Sequence, residues 1–386
     1  MKKLFLSLPL MLLVGGCSRQ PAMQSSPATS TPTAAAAKPV SGPFSSQELQ
    51  EFVALNPLDT HTHIYQSSPI FFAMFDRLNL HILDILVDMD NANPDNAIWN
   101  DHAKERAAAW GVVHDSAGHA SLCTTFDPFK FNQPGFSKGA IREINQDFAR
   151  GAVAIKIWKN IGMELKDAKG NYILPDNPIF EPIYKDIAAQ HKTMISHVAD
   201  PNSLWEAPNP ASPDYSYYME NPEWYMYKQP NPVSKEQILA ARDHILEENP
   251  NLRMVGAHLG SMEANFPELA QHLDRYPNFA VDLAARMPYL LQQPRADIIA
   301  FITKYQDRLI YATDNEFFPT DDAQKVALVW ETQYANDWRF LATNDTLVEQ
   351  YSGRTVQGLD LPQSILRKLY HDNAVKWFPG ILSNAH

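Results

Sequence analysis

The chain predicts an α/β protein whose strands run parallel and close into a (β/α)8 TIM barrel. Three observations lead there. From residue 46 onward, eight short apolar runs alternate with amphipathic stretches of helical period. Eight is the strand number that closes such a barrel. No glycine-rich phosphate loop follows the first run. That weighs against the alternative, a doubly wound open sheet.

The strand-like runs are 53–61, 82–88, 120–126, 152–158, 193–197, 253–258, 279–283 and 309–314. Helical patterns fill the intervals at 96–110, 137–149, 181–191, 235–248, 265–274, 294–306 and 321–340. Ser234 and Gln237 form a capping-box signature that starts one of them. One connection is long: residues 199–233 separate the fifth strand from its helix. Barrel active sites lie on the loops after strands, and long structured loops are often lids. This one is crowded with Trp205, Tyr215, Tyr217, Tyr218, Trp224, Tyr225 and Tyr227. Most of these rings are expected to pack the loop onto the barrel, with one or two walling a pocket for an organic substrate.

The N-terminal stretch reads differently. Lys2 and Lys3 precede LFLSLPLMLLV, an apolar run too short and too early for a spanning helix, so residues 1–16 read as a signal peptide. Val14-Gly15-Gly16-Cys17 resembles a bacterial lipobox, which implies cleavage before Cys17 and lipidation of its thiol. Ser18 at the next position resembles lipoproteins sorted to the outer membrane. The expected location is therefore the cell envelope, anchored by lipid and facing the periplasm. Residues 17–45 are rich in Pro, Ser, Thr and Ala and read as a disordered tether. The folded domain is expected over 46–386. The net charge is −12 with no basic run, which excludes nucleic acid as a partner. Cys123 is the single cysteine beyond Cys17, so no internal disulfide is available, and it reads as a core residue.

The chemistry concentrates at strand ends. LDTHTHIY places His61 and His63 two apart at the end of the first strand, with Asp59 expected on the same face. HVADP, AHLG and YATDNEF put His197, His258 and Asp314 at the ends of the fifth, sixth and eighth strands. By alternation, His258 should share a face with Gly256 and Met254, His197 with Ile195, and Asp314 with Ala312 and Ile310. Imidazole nitrogen and carboxylate oxygen converging on one point suit a divalent metal. In AVAIKIW, Lys156 falls on the face opposite the branched apolar residues and should point into the barrel. Arg286, after the seventh strand, could hold a substrate carboxylate as a bidentate fork or pair with loop acids. Glu263 could orient His258 or serve as a helix N-terminal charge. Asp282 is expected to line the barrel, and Lys159 to belong to the loop.

DTHTH, GAVAIKIWKN, ISHVADP, AHLGSMEAN, DRLIYATD and LRKLYHDNAVKWF, in this order over residues 53–378, resemble the amidohydrolase superfamily. The resemblance is to the amidohydrolase-related branch that includes the aminocarboxymuconate semialdehyde decarboxylase type. It implies a distorted (β/α)8 barrel with one divalent metal, commonly zinc. By the same resemblance His61, His63, His197 and Asp314 are ligands, and His258 polarises substrate or handles a proton. Lys156 resembles the carboxylated lysine that bridges two metals in binuclear members, although closer branches carry a lysine there and bind one. The one-metal reading makes it an ion-pair partner or substrate contact. The expected function is a metal-dependent hydrolase that activates water to cleave a C–N or C–O bond of a small organic molecule. The alternatives are non-oxidative decarboxylation of an aromatic or unsaturated carboxylate, and a non-catalytic ligand-binding lipoprotein. Relatives of this type are often homodimers.

Overall fold

Nine parallel strands form one sheet that wraps round on itself. The computed structural model describes residues 42–88, 102–349 and 353–383. The signal peptide, Cys17, the tether up to residue 41 and residues 96–101 of the first expected helix lie outside the described residues. In chain order the strands are β1 (Leu58–Ile64), β2 (His81–Ile85), β3 (Ala120–Thr124), β4 (Ala154–Ile157), β5 (Thr193–Ser196), β6 (Arg253–Gly256), β7 (Phe279–Asp282), β8 (Leu309–Ile310) and β9 (Asn315–Phe317). Each of β1 to β7 pairs with the next strand in sequence, and β9 pairs with β1.

Strands β8 and β9 are two halves of one interrupted strand. Between them the backbone still reaches β1. Thr60 N–H donates to the Tyr311 carbonyl (3.2 Å), and Asp314 N–H donates to the His61 carbonyl (2.8 Å). The ring therefore closes as a distorted (β/α)8 barrel. Helices such as Phe136–Arg150, Glu181–Ala189, Lys235–Glu248, Phe266–Arg275, Arg295–Tyr305 and Ala323–Ala342 cover its outer face.

Three boundaries differ from expectation, each for a local reason. Residues 53–57 do not start the first strand. Ser45 and Glu48 form a reciprocal capping box that opens a helix over Ser46–Val53, and the strand begins only at Leu58. PIFFAMFDRL, to which no element was assigned, is a helix (Pro69–Leu78), and its Phe71 ring stacks 4.2 Å from Phe317. The eighth strand runs on past Asp314, because Asn315, Glu316 and Phe317 take up the ladder with β1.

The core has two parts. One lies between sheet and helices. The other fills the N-terminal end of the barrel with Leu58, Leu83, Ile85, Cys123, Ala154, Ile195, Val255, Ala257, Ala280 and Ile310. Trp377, Phe378 and Ile381 plug this end from below. Ser121 Oγ donates to the Ile381 carbonyl (2.6 Å), and Thr193 Oγ1 donates to that of Trp377. Burying a large apolar side chain of this kind contributes roughly 1.5–3 kcal/mol. The plug leaves only the C-terminal ends of the strands open for chemistry.

Candidate active site

A β-bulge sets up the first two histidines. The register of β1 against β2 slips between Asp59 and Thr62. The extra residue reverses the inside–outside alternation. Leu58 faces the lumen, yet so do His61 and His63. Asp59 therefore does not share their face. It points outward, accepting from Thr313 Oγ1 (2.6 Å) and from Tyr334 OH (2.9 Å) on an outer helix. Burial pushes its carboxyl up to about 6 despite these bonds.

His258 reaches the site by a second departure from regular strand. Met254 and Gly256 face outward, so the expected shared face is wrong: Val255 and Ala257 are the inward residues. Past them the chain makes a left-handed turn, with φ of 58°, 56°, 63° and 63° at His258, Leu259, Gly260 and Ser261. Such backbone costs a non-glycine residue roughly 1–2 kcal/mol. The turn swings His258 back over the barrel mouth. A Cβ on Gly256 would lie 2.6 Å from the Phe279 ring and 2.8 Å from the Gly260 Cα, so a side chain there would prevent the turn from packing. Ala285 and Asp314 are also at positive φ (53° and 67°), which gathers strained backbone around this mouth.

The imidazoles are oriented alike. His61 Nδ1 lies 2.9 Å from Asp282 Oδ2, His63 Nδ1 2.7 Å from the Ile85 carbonyl, and His258 Nδ1 2.9 Å from the Ala284 carbonyl. These partners are acceptors, so each Nδ1 carries the proton and each Nε2 is left with its lone pair. The Nε2 atoms of His61 and His63 lie 3.2 and 3.5 Å from Asp314 Oδ1. Ligand atoms of His61, His258 and Asp314 all fall within 4.8 Å of one another. Burial, then the Lys156 charge, pulls His63 down to about 4. Burial, then His197, holds His258 well below the ordinary imidazole range. Burial would raise Asp314, but the facing imidazoles of His258 and His61 outweigh it and keep the carboxyl ionised. Imidazoles whose Nδ1 atoms are tied to acceptors, with Nε2 atoms turned toward one carboxylate, are the donor set a divalent metal takes.

His197 is held differently. Its ring is 4.3 Å from that of His258, but its Nε2 faces Asp200 Oδ1 at 3.1 Å, leaving Nδ1 as the nitrogen it can offer elsewhere. Asp200 also accepts from Lys159 Nζ (2.7 Å) and Tyr217 OH (3.0 Å). Lys159 lies in the turn after β4, as expected, but its side chain does not reach solvent. It is 2% exposed, with the rings of Trp224, Tyr217 and Trp158 at 4.5, 4.9 and 5.4 Å. Tyr218, Trp224 and Tyr225 are buried against the barrel, and Tyr227 is exposed. Of the long loop's aromatic residues, Tyr217 hydrogen-bonds into this network around His197 and Trp224 packs on its lysine.

Lys156 lies in the lumen, with Nζ 2.7 Å from His61 Nε2. Burial lowers its ammonium against the opposing pull of Asp314 and Asp282. A narrow crevice beside it is lined by residues including Asp88, Thr125, Phe126, Trp158 and Asn160. Arg286 is nearly buried and faces Glu263 at 3.7 Å. Glu263 does not orient His258: it accepts from Lys235 (3.3 Å), while the Ala284 carbonyl holds the imidazole. Two acids acquire roles that the sequence had not assigned. Asp282 binds His61 Nδ1 and the His258 N–H (2.8 Å), and Asp200 binds His197. Their one visible signal was position: Asp282 ends β7, and Asp200 follows His197 by three residues.

The family model described as amidohydrolase matches residues 58–380. No curated protein matches the chain. Among solved structures, an uncharacterised TIM-barrel protein from Bordetella bronchiseptica is similar at TM-score 0.50 and 14% identity, over 85% of this chain and 99% of that one. A 5-carboxyvanillate decarboxylase from Sphingomonas paucimobilis is similar at TM-score 0.45 and 14% identity, over 84% and 99% of the two chains. A probable 2-pyrone-4,6-dicarboxylic acid hydrolase from Acinetobacter baumannii gives TM-score 0.47 and 11% identity, over 84% and 99%. At such identities the likeness concerns the fold alone.

Proposed function

The chain belongs to the amidohydrolase family, and on that premise we propose that it is a metal-dependent hydrolase cleaving a C–N or C–O bond of a small organic substrate. One observation carries the reading: the Nδ1 atoms of His61, His63 and His258 are all tied to acceptors, leaving Nε2 lone pairs beside an ionised Asp314. In this reading His61, His63, Asp314 and, through Nδ1, His197 hold one divalent ion, zinc being the first candidate. Bound there, the ion supplies Lewis acidity that lowers the pKa of water and polarises a carbonyl.

The chain's own groups then divide the proton work. Asp314 stays ionised and takes the proton of the attacking water as its oxygen bonds to the carbonyl carbon. His258 rests with Nε2 unprotonated, so it accepts a proton before it can give one. It receives from Asp314 the proton taken from the water and donates it to the leaving nitrogen or oxygen as that bond breaks, which returns Asp314 to its ionised form. Lys156 and Arg286 are the cations available to a substrate anion.

Those two buried cations also support a second reading, decarboxylation of an aromatic or unsaturated carboxylate. There the C–C bond breaks, carbon dioxide leaves, and the carbon left behind takes a proton that His258 has first accepted from water. Elemental analysis of the wild type and His61→Ala tests the common premise, with about one metal per chain expected in the first and little in the second. Screens of amides, esters and lactones for hydrolysis, and of aromatic acids for carbon dioxide release, then separate the two reactions. No metal after reconstitution would overturn both and leave a ligand-binding protein. The lipid anchor at Cys17 is part of the same proposal. Its test is incorporation of labelled palmitate, lost in Cys17→Ala.

A further inference from the structure

We infer that Arg242 is a positioning residue for His258: it fastens the left-handed turn that aims the imidazole into the barrel mouth. The inference rests on the proposed role of His258. Arg242 lies on the helix Lys235–Glu248 and is 0% exposed. Its NH1 donates to the Gly260 carbonyl at 2.7 Å. That carbonyl belongs to the third of four consecutive left-handed residues. The His258 and Leu259 carbonyls accept from the N–H groups of Ser261 and Met262 (3.1 and 3.2 Å), whereas the Gly260 carbonyl takes its hydrogen bond from Arg242 on the outer helix.

The rest of the guanidinium is accounted for. Nε and NH2 bind Asp243 Oδ1 at 3.1 and 2.8 Å, and Asp243 in turn faces His272 Nε2 at 2.8 Å. The cation lies 4.8 Å from the centre of the Phe279 ring. Phe279 is the ring that packs directly against Gly256, where the turn begins. Arg242, Phe279, Gly256 and Gly260 therefore form one stack. The turn has two further fastenings, Ser261 Oγ to the Ala199 carbonyl (2.6 Å) and the His258 N–H to Asp282 Oδ1 (2.8 Å). Arg242 is the one that holds the turn from the outer helix layer. A buried cation is costly to keep, and a neutral core residue would fill this space at lower cost.

The test compares Arg242→Met, which keeps the unbranched apolar stem and removes the donors, with Arg242→Lys, which keeps a single donor group. Crystal structures and Co²⁺ titrations of the full protein are the two readouts. In Arg242→Met, residues 258–261 are expected to leave positive φ, and, because Asp282 holds both the His258 N–H and the His61 ring, Co²⁺ to bind about tenfold more weakly with an altered visible spectrum. Arg242→Lys should lie between this variant and the wild type. An unchanged turn and an unchanged titration in Arg242→Met, with only a lower melting temperature, would overturn the inference. Should Arg242→Met fail to fold, Arg242→Lys carries the same comparison. A wild type that binds no Co²⁺ would refute the metal reading, while the crystal structures would still decide what holds the turn.

Discussion

Asp282 joins two strands through one carboxylate, holding the His61 ring with one oxygen and the His258 backbone with the other. Replacing it with Asn keeps the shape but weakens the acceptor at His61 Nδ1. Asp282→Asn is expected to lose 10–100-fold in metal affinity, on the order found for such supporting partners, with little change in melting temperature. A competition titration with a chelator checks this. His272 offers a pH-dependent case away from the site. Its Nδ1 donates to the Glu268 carbonyl (2.8 Å) and its Nε2 to Asp243 (2.8 Å), so both nitrogens carry protons. The Asp243 hydrogen bond raises its pKa above the ordinary 6.5. A raised folded pKa stabilises fully below the unfolded value and is lost as pH rises through the folded one. His272→Gln should therefore cost about 1–2 kcal/mol at pH 6, and the gap to wild type should narrow in urea titrations at successively higher pH. The positions of His61, His63, His197, His258 and Asp314 at strand ends were legible in the sequence. The outward turn of Asp59 was not, because a bulge leaves no mark in residue type.

At the scale of elements, alternation works where strands are regular and fails at the site. Lys156, Ile195 and Ile310 face inward by simple parity. His258 reaches the mouth only because four residues adopt a conformation that the letters AHLGS do not announce. The helix Ser46–Val53 did carry its signal: Ser45 and Glu48 form a capping box that an apolar reading of the same stretch overrode. Another close approach is hidden in Gly358. A Cβ there would lie 2.3 Å from the Thr343 carbonyl oxygen and 2.7 Å from that of Arg339, at the end of the helix Ala323–Ala342. Gly358→Ala is expected to destabilise by about 1–3 kcal/mol, seen as a lower denaturation midpoint at an unchanged slope.

For the whole molecule, the barrel was legible because eight alternations leave few other closed arrangements. The plug beneath it was not, since LRKLYHDNAVKWF reads equally well as a surface helix. Trp377 and Phe378 fill the lumen end opposite the histidines. Trp377→Ala should cost about 3–5 kcal/mol of stability and leave metal stoichiometry unchanged in whatever fraction stays folded. Calorimetry beside elemental analysis separates the two effects.

The ring's closure also has a consequence in time. The contact of Asp59 with Thr313 joins residues 254 positions apart, and Tyr311 in turn donates to the Leu369 carbonyl. At ~5–20 residues per second, a ribosome needs roughly 10–50 s to travel from one side of that seam to the other. Until then β1 is an unpaired edge with two histidines on it, and the nascent chain must be kept from other strands while it waits for its own last third.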